Sequence, residues 1–196
     1  MPGKDALLII DVQNDFCPGG ALAVADGDQV VPVLNRCIER FSAAKLPVFA
    51  TRDWHPEKTS HFKSGGGLWP PHCIQGSKGA EFHTDLKLPS DTIVVSAGMA
   101  ADEDGYSGFE GHDAGGVKLA DLLRKRGVER IFVGGLATDY CVKFTVIDAL
   151  KEGFKAVLIE DAVRGVNLQP GDSDRAIAEM KRGGAKGVKD HQSLGL

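Results

Sequence analysis

The chain has 196 residues, 42% of them hydrophobic and 26% charged, with a formal net charge of -4. That length and balance fit one soluble globular domain over 1–196 with a core that needs no covalent staples, and two domains would be crowded. The small negative charge excludes any electrostatic case for nucleic acid, so the expected partner is a small molecule or another protein, a homo-oligomer included.

The first element is a strand, ALLII over 6–10, and the N-terminal MPGKDALLIIDVQND offers an apolar run of only five residues before Asp11. Such a run is too short for a signal peptide or a bilayer span, which sets the expectation of a cytoplasmic, non-membrane protein. VVPVLNRCIERF follows with Val30, Val33, Leu34, Cys37, Ile38 and Phe41 on one stripe, the spacing of a helix facing a sheet. PVFAT (47–51) and TIVVS (92–96) are strands. Between them, residues of about 52–90 are rich in Gly, Pro, Lys and His without apolar period, and a loop of that length in a compact domain is usually functional. VKLADLLRKRG gives a helix with Leu119, Leu122 and Leu123 inward and Gly127 as its stop. RIFVGG (130–135) is a strand, and a helix runs from about Asp139 to Gly153. KAVLIE (155–160) is a further strand and SDRAIAEMKRGG the last helix. Strand and helix alternate, which predicts a three-layer α/β/α domain around a mostly parallel sheet.

In open parallel sheets ligands bind beyond the carboxyl ends of the strands. Asp11 follows the first predicted strand, Asp53 and His55 the second, and Cys141 comes one turn after RIFVGG, so all of them share one rim. Singly, each also fits a structural role, the aspartates as turn formers or caps and the cysteine as a small core residue. Thr138 or Asp139 is placed to cap the next helix and leave Cys141 in its first turn, where a helix N-terminus favours thiolate. A thiolate there could attack an acyl carbon, backbone N–H groups of the turn could hold the oxyanion, and Asp11 could shuttle protons.

DWHPEKTSH and LWPPHC contribute a second cluster. Asp53, His55, His61 and His72 offer one carboxylate and three imidazoles, a set suited to zinc, iron or manganese rather than calcium or magnesium. Four solvated loop side chains would carry the same pattern. His83, His112 and His191 lack such company and read as surface residues. The four cysteines, at 17, 37, 73 and 141, form no C-x-x-C pair and read as reduced thiols.

With IIDVQNDFCPGGALAV, RDWHPEKTSHF, LWPPHCIQGSKGAEFH, DGYSGFEG and GLATDYCVKFTVIDAL in family order, the chain closely resembles the nicotinamidases, or pyrazinamidases, of the isochorismatase-like hydrolases over nearly its whole length. The resemblance implies hydrolysis of nicotinamide to nicotinate and ammonia by a Cys, Asp and Lys set beside one divalent metal. Cys141 would be the nucleophile and Asp11 its proton acceptor and later donor. Asp53, His55, His61 and His72 would hold the metal, whose open position takes the pyridine nitrogen directly or through water. Phe16 and Trp69 would flank the ring and Tyr106 would line the pocket, against readings of the first two as core aromatics and the third as a loop anchor. The family's cis peptide would fall at Leu136–Ala137, and the N–H groups of Ala137 and Cys141 would form the oxyanion hole. Cys17, Cys37 and Cys73 would be passive.

One position departs from the family. Its catalytic lysine ends the strand before the Y-S-G-F loop, and here that place holds Ala97, within TIVVSAGMAADEDGYSGFEG. Lys78 also precedes a glycine but belongs to another segment. The leading expectation is therefore a nicotinamidase impaired at Ala97. Two alternatives stand beside it: a metal-free cysteine amidase acting on a carbamoyl-type substrate, and a non-catalytic protein that captures a pyridine ligand. A zinc hydrolase using metal-bound water would leave Cys141 and Asp11 without a role.

Overall fold

Six parallel strands form the sheet of the computed structural model, which describes residues 4–189, 192, 194 and 195. In chain order they are β1 (Asp5–Ile10), β2 (Val48–Asp53), β3 (Ile93–Ala97), β4 (Arg130–Leu136), β5 (Lys155–Arg164) and β6 (Lys186–Val188). Their spatial order is β3-β2-β1-β4-β5-β6. Sequence order reverses between β1 and β4, which opens a crevice at their carboxyl ends where such sheets bind ligands.

The helices are α1 (Val30–Ala43), α2 (Leu119–Lys125), α3 (Lys143–Lys151) and α4 (Asp172–Arg182). The sheet is buried on both faces, so its strands read as near-continuous apolar runs. Leu7 and Ile9 of β1 pack with the predicted stripe of α1, which buries Val30, Val33, Leu34, Cys37, Ile38 and Phe41. Ala6, Leu8 and Ile10 face the other way, toward Leu119, Leu122 and Leu123 of α2, Val146 and Ala149 of α3, and Met180 of α4. This is the three-layer α/β/α arrangement expected. Gly127 ends α2 with φ +68, and Val128 N–H bonds back to Leu123 O at 3.1 Å, as a glycine stop should.

Three elements differ from the sequence reading. The third helix opens with a π-helical turn over Thr138–Val142 before α3 begins. β5 runs on past Glu160 to Arg164, with a register shift in its pairing between Val133 and Gly135 of β4. β6, three residues long, had no apolar run to announce it. The segment between β2 and β3 is a loop as predicted, tied down by isolated bridges pairing Gln13 with Phe82, His55 with Ile74 and Phe62 with Trp69. No helix among the described residues is long and apolar enough to cross a membrane.

Candidate active site

Three buried side chains meet at the reversal point. Asp11 leaves β1 with φ +48, a left-handed conformation that Asp tolerates better than most residues. Asp53 ends β2, and Cys141 sits in the π-helical turn after β4. One ligand atom from each lies within 4.8 Å of the other two. Gly135, with φ +129, permits the close approach of β4 to β1, because a Cβ there would strike the carbonyl of Ile10. The Leu136–Ala137 peptide is cis, as the resemblance implies.

The Cys141 thiol lies within 4.8 Å of the Asp11 carboxyl group, whose Oδ1 accepts from Thr51 Oγ1 at 2.6 Å. Burial raises Asp11 well above the ordinary carboxyl range, and the neighbouring Asp53 charge pushes it further up. Burial likewise raises the Cys141 thiol, reinforced by the charges of Asp53 and Asp11. The sequence reading anticipated a helix terminus favouring thiolate, but two carboxylates and burial outweigh any such help. The expected cap is absent too: neither Thr138 nor Asp139 bonds the helix start. The Asp139 carboxylate instead accepts the backbone N–H groups of Val166 and Asn167 at 2.9 and 2.7 Å, fastening the loop after β5 over the site.

His55, His61 and His72 converge beside this group, each with a ring nitrogen within 4.8 Å of the others. His55 and His61 stack with ring centroids 4.5 Å apart. His72 Nδ1 is 2.8 Å from Pro70 O and His61 Nδ1 is 2.9 Å from Asp104 Oδ1, contacts that orient a ring and leave its other nitrogen toward the cluster. Asp53 Oδ2 faces His55 Nε2 at 3.5 Å and His72 Nε2 at 3.6 Å. Burial alone would raise Asp53, yet these two imidazoles outweigh it and hold the carboxyl below its usual range. Burial lowers His61, favouring the neutral ring that a metal requires. Asp53 Oδ1 and both ring nitrogens of His55 are buried without a hydrogen-bond partner. Orphaned polar atoms of this kind cost free energy unless something binds them, so the donor set fits a divalent transition ion. All four predicted ligands are buried rather than solvated, which removes the exposed-loop reading. Gly98, with φ +66, backs the cluster, since a Cβ there would lie 2.5 Å from His55 Cε1.

A cavity opens onto both clusters, with an empty volume of about 320 Å³ that includes its solvent-open part. Phe16, Trp69, Tyr106 and Ala137 line it together with Asp53, His61, His72 and Cys141. The aromatic residues that admitted a core or loop-anchor reading therefore border the cavity. Trp69 Nε1 donates to Tyr106 Oη at 2.8 Å, fixing the indole. Sequence reasoning missed Leu22, Tyr140 and Val166 in the lining. It also missed Gln13, whose side chain accepts from Asp53 N–H and donates to Asp53 O, both at 2.8 Å. Thr51 had a usable signal, because it lies two residues before Asp53 on the same strand face.

Ala97 ends β3 and is buried. Among the described residues, no lysine or arginine lines the cavity. Cys17, Cys37 and Cys73 are buried and free, as expected of reduced thiols. His83 and His112 are half-buried rather than surface residues: His83 Nδ1 accepts from Asp85 N–H, and His112 bridges Ser96 and Lys118. His191 lies outside the described residues.

The parallel sheet thus gathers a thiol after β4, a carboxyl group after β1 and another at the end of β2. Residues 5–190 match the isochorismatase domain, and the chain belongs to that family. Nicotinamidase of Escherichia coli (strain K12) is 43% identical over 203 aligned positions, covering 94% of each chain. The crystal structure of pyrazinamidase of Pyrococcus horikoshii in complex with zinc superposes with a TM-score of 0.88 at 45% identity, over 95% of this chain and 99% of that one. The structure of L. infantum PnC1 in complex with nicotinate gives a TM-score of 0.83 at 39% identity, over 94% and 92%.

Proposed function

We propose that this chain is a nicotinamidase-type amide hydrolase, converting nicotinamide to nicotinate and ammonia through Cys141, with turnover attenuated by Ala97. The observation that carries the reading is the juxtaposition of a buried thiol and carboxylate, their ligand atoms within 4.8 Å, with an aromatic-walled cavity bordered by His61 and His72 of the imidazole cluster. The relatives add support: two are named for pyridine- or pyrazine-amide hydrolysis, and the third binds nicotinate, the acid such hydrolysis yields.

In this reading Cys141 Sγ attacks the amide carbon while Asp11 takes the thiol proton. Asp11 then passes that proton to the departing nitrogen, releasing ammonia and leaving an acyl thioester. Water, deprotonated by Asp11, cleaves the thioester, and Asp11 returns the proton to Cys141 as the acid leaves. The N–H groups of Ala137 and Cys141 hold the oxyanion in both halves. Phe16 and Trp69 grip the ring, and Tyr106 fixes Trp69. Asp53, His55, His61 and His72 would hold one divalent ion, zinc in the first instance. When bound, that ion supplies a Lewis-acid centre able to accept the ring nitrogen of a pyridine or pyrazine amide.

The family's lysine would offset the two carboxylates and favour thiolate. Ala97 offers no charge, which favours a second reading of this chain as a pyridine-ligand-binding protein with little turnover. A metal-free carbamoyl amidase gains nothing from the buried imidazole cluster. Steady-state ammonia release from nicotinamide by the chain and by Ala97→Lys, with a ligand titration of both, tests the proposal. Tight binding with turnover in neither form would establish the binding-protein reading.

A further inference from the structure

Asp53 stands between two sets of donors. Its Oδ2 faces His55 and His72, whereas its Oδ1 is buried and has no hydrogen-bond partner. Asp53 also meets Asp11 and Cys141, the three offering ligand atoms within 4.8 Å of one another. Two carboxylates and a thiol, all buried, thus converge where no cationic side chain among the described residues lines the cavity. Ala97 is the Cα partner of Asp53 across the β2–β3 ladder, and its methyl group reaches no further than van der Waals contact.

We propose that Asp11, Asp53 and Cys141 form a second cation site, selective for a thiophilic divalent ion such as Zn²⁺ or Cd²⁺, open in this chain because Ala97 provides no competing positive charge. A thiolate with two carboxylate oxygens suits borderline and soft ions, and it disfavours Mg²⁺ and Ca²⁺, which take oxygen alone. Donors around a tetrahedral ion sit about 3.5 Å apart, so side-chain rotation of roughly an ångström closes the set. Asp53 would then be shared by the two sites, with ions in two-metal sites generally about 3.5–4 Å apart. Binding releases the Cys141 thiol proton to solvent, and the ion is held by the resulting thiolate. The site stands on geometry alone. Only its consequence, that the ion blocks both the attacking sulfur and its proton acceptor, rests on the function proposed above.

The test is titration of the protein as purified with Cd²⁺. It is followed by the ultraviolet thiolate-to-cadmium charge-transfer band and by elemental analysis after equilibrium dialysis. The parent chain should hold two ions and develop the band. Cys141→Ser should lose the band and one ion, and Asp11→Asn should bind the second ion at least about tenfold more weakly. Ala97→Lys should lose the band while keeping one ion. His55→Ala should keep the band while losing the other ion. A parent with no band, a band of equal size in Cys141→Ser, or a second ion indifferent to Ala97→Lys would each overturn the proposal. Should Cys141→Ser fail to fold by circular dichroism, the Asp11 and Ala97 variants decide the matter alone. Ammonia release is not a readout, so failure of the nicotinamide reading would leave this result standing.

Discussion

Ala97 on β3 lies directly opposite Asp53 on β2, Cα partners in a parallel register. Both side chains point to the face that carries Cys141. Asp53 shares its strand parity with Phe49, and Ala97 with Val95, and those two belong to the core cluster that contains Cys141. A longer side chain at 97 would therefore extend toward Asp53, Asp11 and the thiol.

From that placement, Ala97→Lys should raise kcat for nicotinamide by about two orders of magnitude or more, the usual contribution of a positioned electrostatic or acid-base group. Ligand affinity should change far less, because Phe16, Trp69 and the imidazole cluster are untouched. Ammonia release and direct titration measure the two effects separately. Equal turnover would show that position 97 does not hold the lysine's role.

Removing the attacking atom should abolish whatever activity the chain retains. Cys141→Ala deletes one sulfur at the cavity wall, so the fold and the ion held by the imidazole cluster should persist while ammonia release falls to the uncatalysed level. Unchanged turnover would rule out covalent catalysis. Loss of folding would mark Cys141 as a packing residue.

All four thiols should resist alkylation in the chain as it stands. Burial pushes Cys17 up to about 11 and Cys37 up to about 12, and Cys73 and Cys141 are raised well above the ordinary thiol value by burial and nearby carboxylates. The thiolate is the reactive form, so iodoacetamide labelling at about pH 8 should be slow at every cysteine and should quicken only as pH rises further. In Ala97→Lys, Cys141 alone should become the fast site, read by peptide mass spectrometry. Fast labelling of Cys141 in the parent would show that another group already favours its thiolate.

In the protein as purified, before any Cd²⁺ is added, one divalent transition ion per chain should survive dialysis, and His55→Ala should lower both metal content and pyridine-ligand affinity. His55 contributes both of the buried unpartnered side-chain nitrogens among the described residues, and its loss leaves Asp53 with one imidazole instead of two. Elemental analysis showing no metal, with ligand affinity indifferent to chelators, would leave a metal-free amidase.

The periodic parts of the chain were legible because burial on a helix stripe or a strand writes itself locally. The stripe from Val30 to Phe41 and the runs ending at Ile10 and Gly135 needed no tertiary information. The rim shared by Asp11, Asp53 and Cys141 was legible for a topological reason, since each follows a parallel strand. What escaped depends on contacts across the chain. Thr51 meets Asp11 and Gln13 clamps Asp53 over 40 residues, and Asp104 reaches His61 over 43. Asp139 looked like a cap because its sequence context is a helix start, but the N–H groups of Val166 and Asn167, 27 and 28 residues on, claim its carboxylate. Lys186–Val188 is too short and too polar to betray an edge strand.

Asp11 also makes a testable contribution to stability. Its folded pKa is raised above the ordinary 3.8, first by burial and then by Asp53. Between those two values the native state binds more protons than the unfolded state, so stability falls as pH rises through that window. Below 3.8 both states are protonated and the penalty vanishes. Asp11→Asn removes the ionisable group while an amide oxygen can still accept from Thr51, and Asn tolerates the φ of +48 at this position. With a chelator present, so that no divalent ion offsets the carboxylates, the Asn variant should melt at a higher temperature than the parent at about pH 7.5, and the gap should narrow toward about pH 4.5. Stability exchanged for a charge-laden site is the pattern expected where residues serve chemistry rather than packing. Thermal melts of both proteins across that range provide the measurement. A parent more stable than the variant at the higher pH would show that the Asp11 charge is paired rather than strained, and a gap independent of pH would assign the effect to packing.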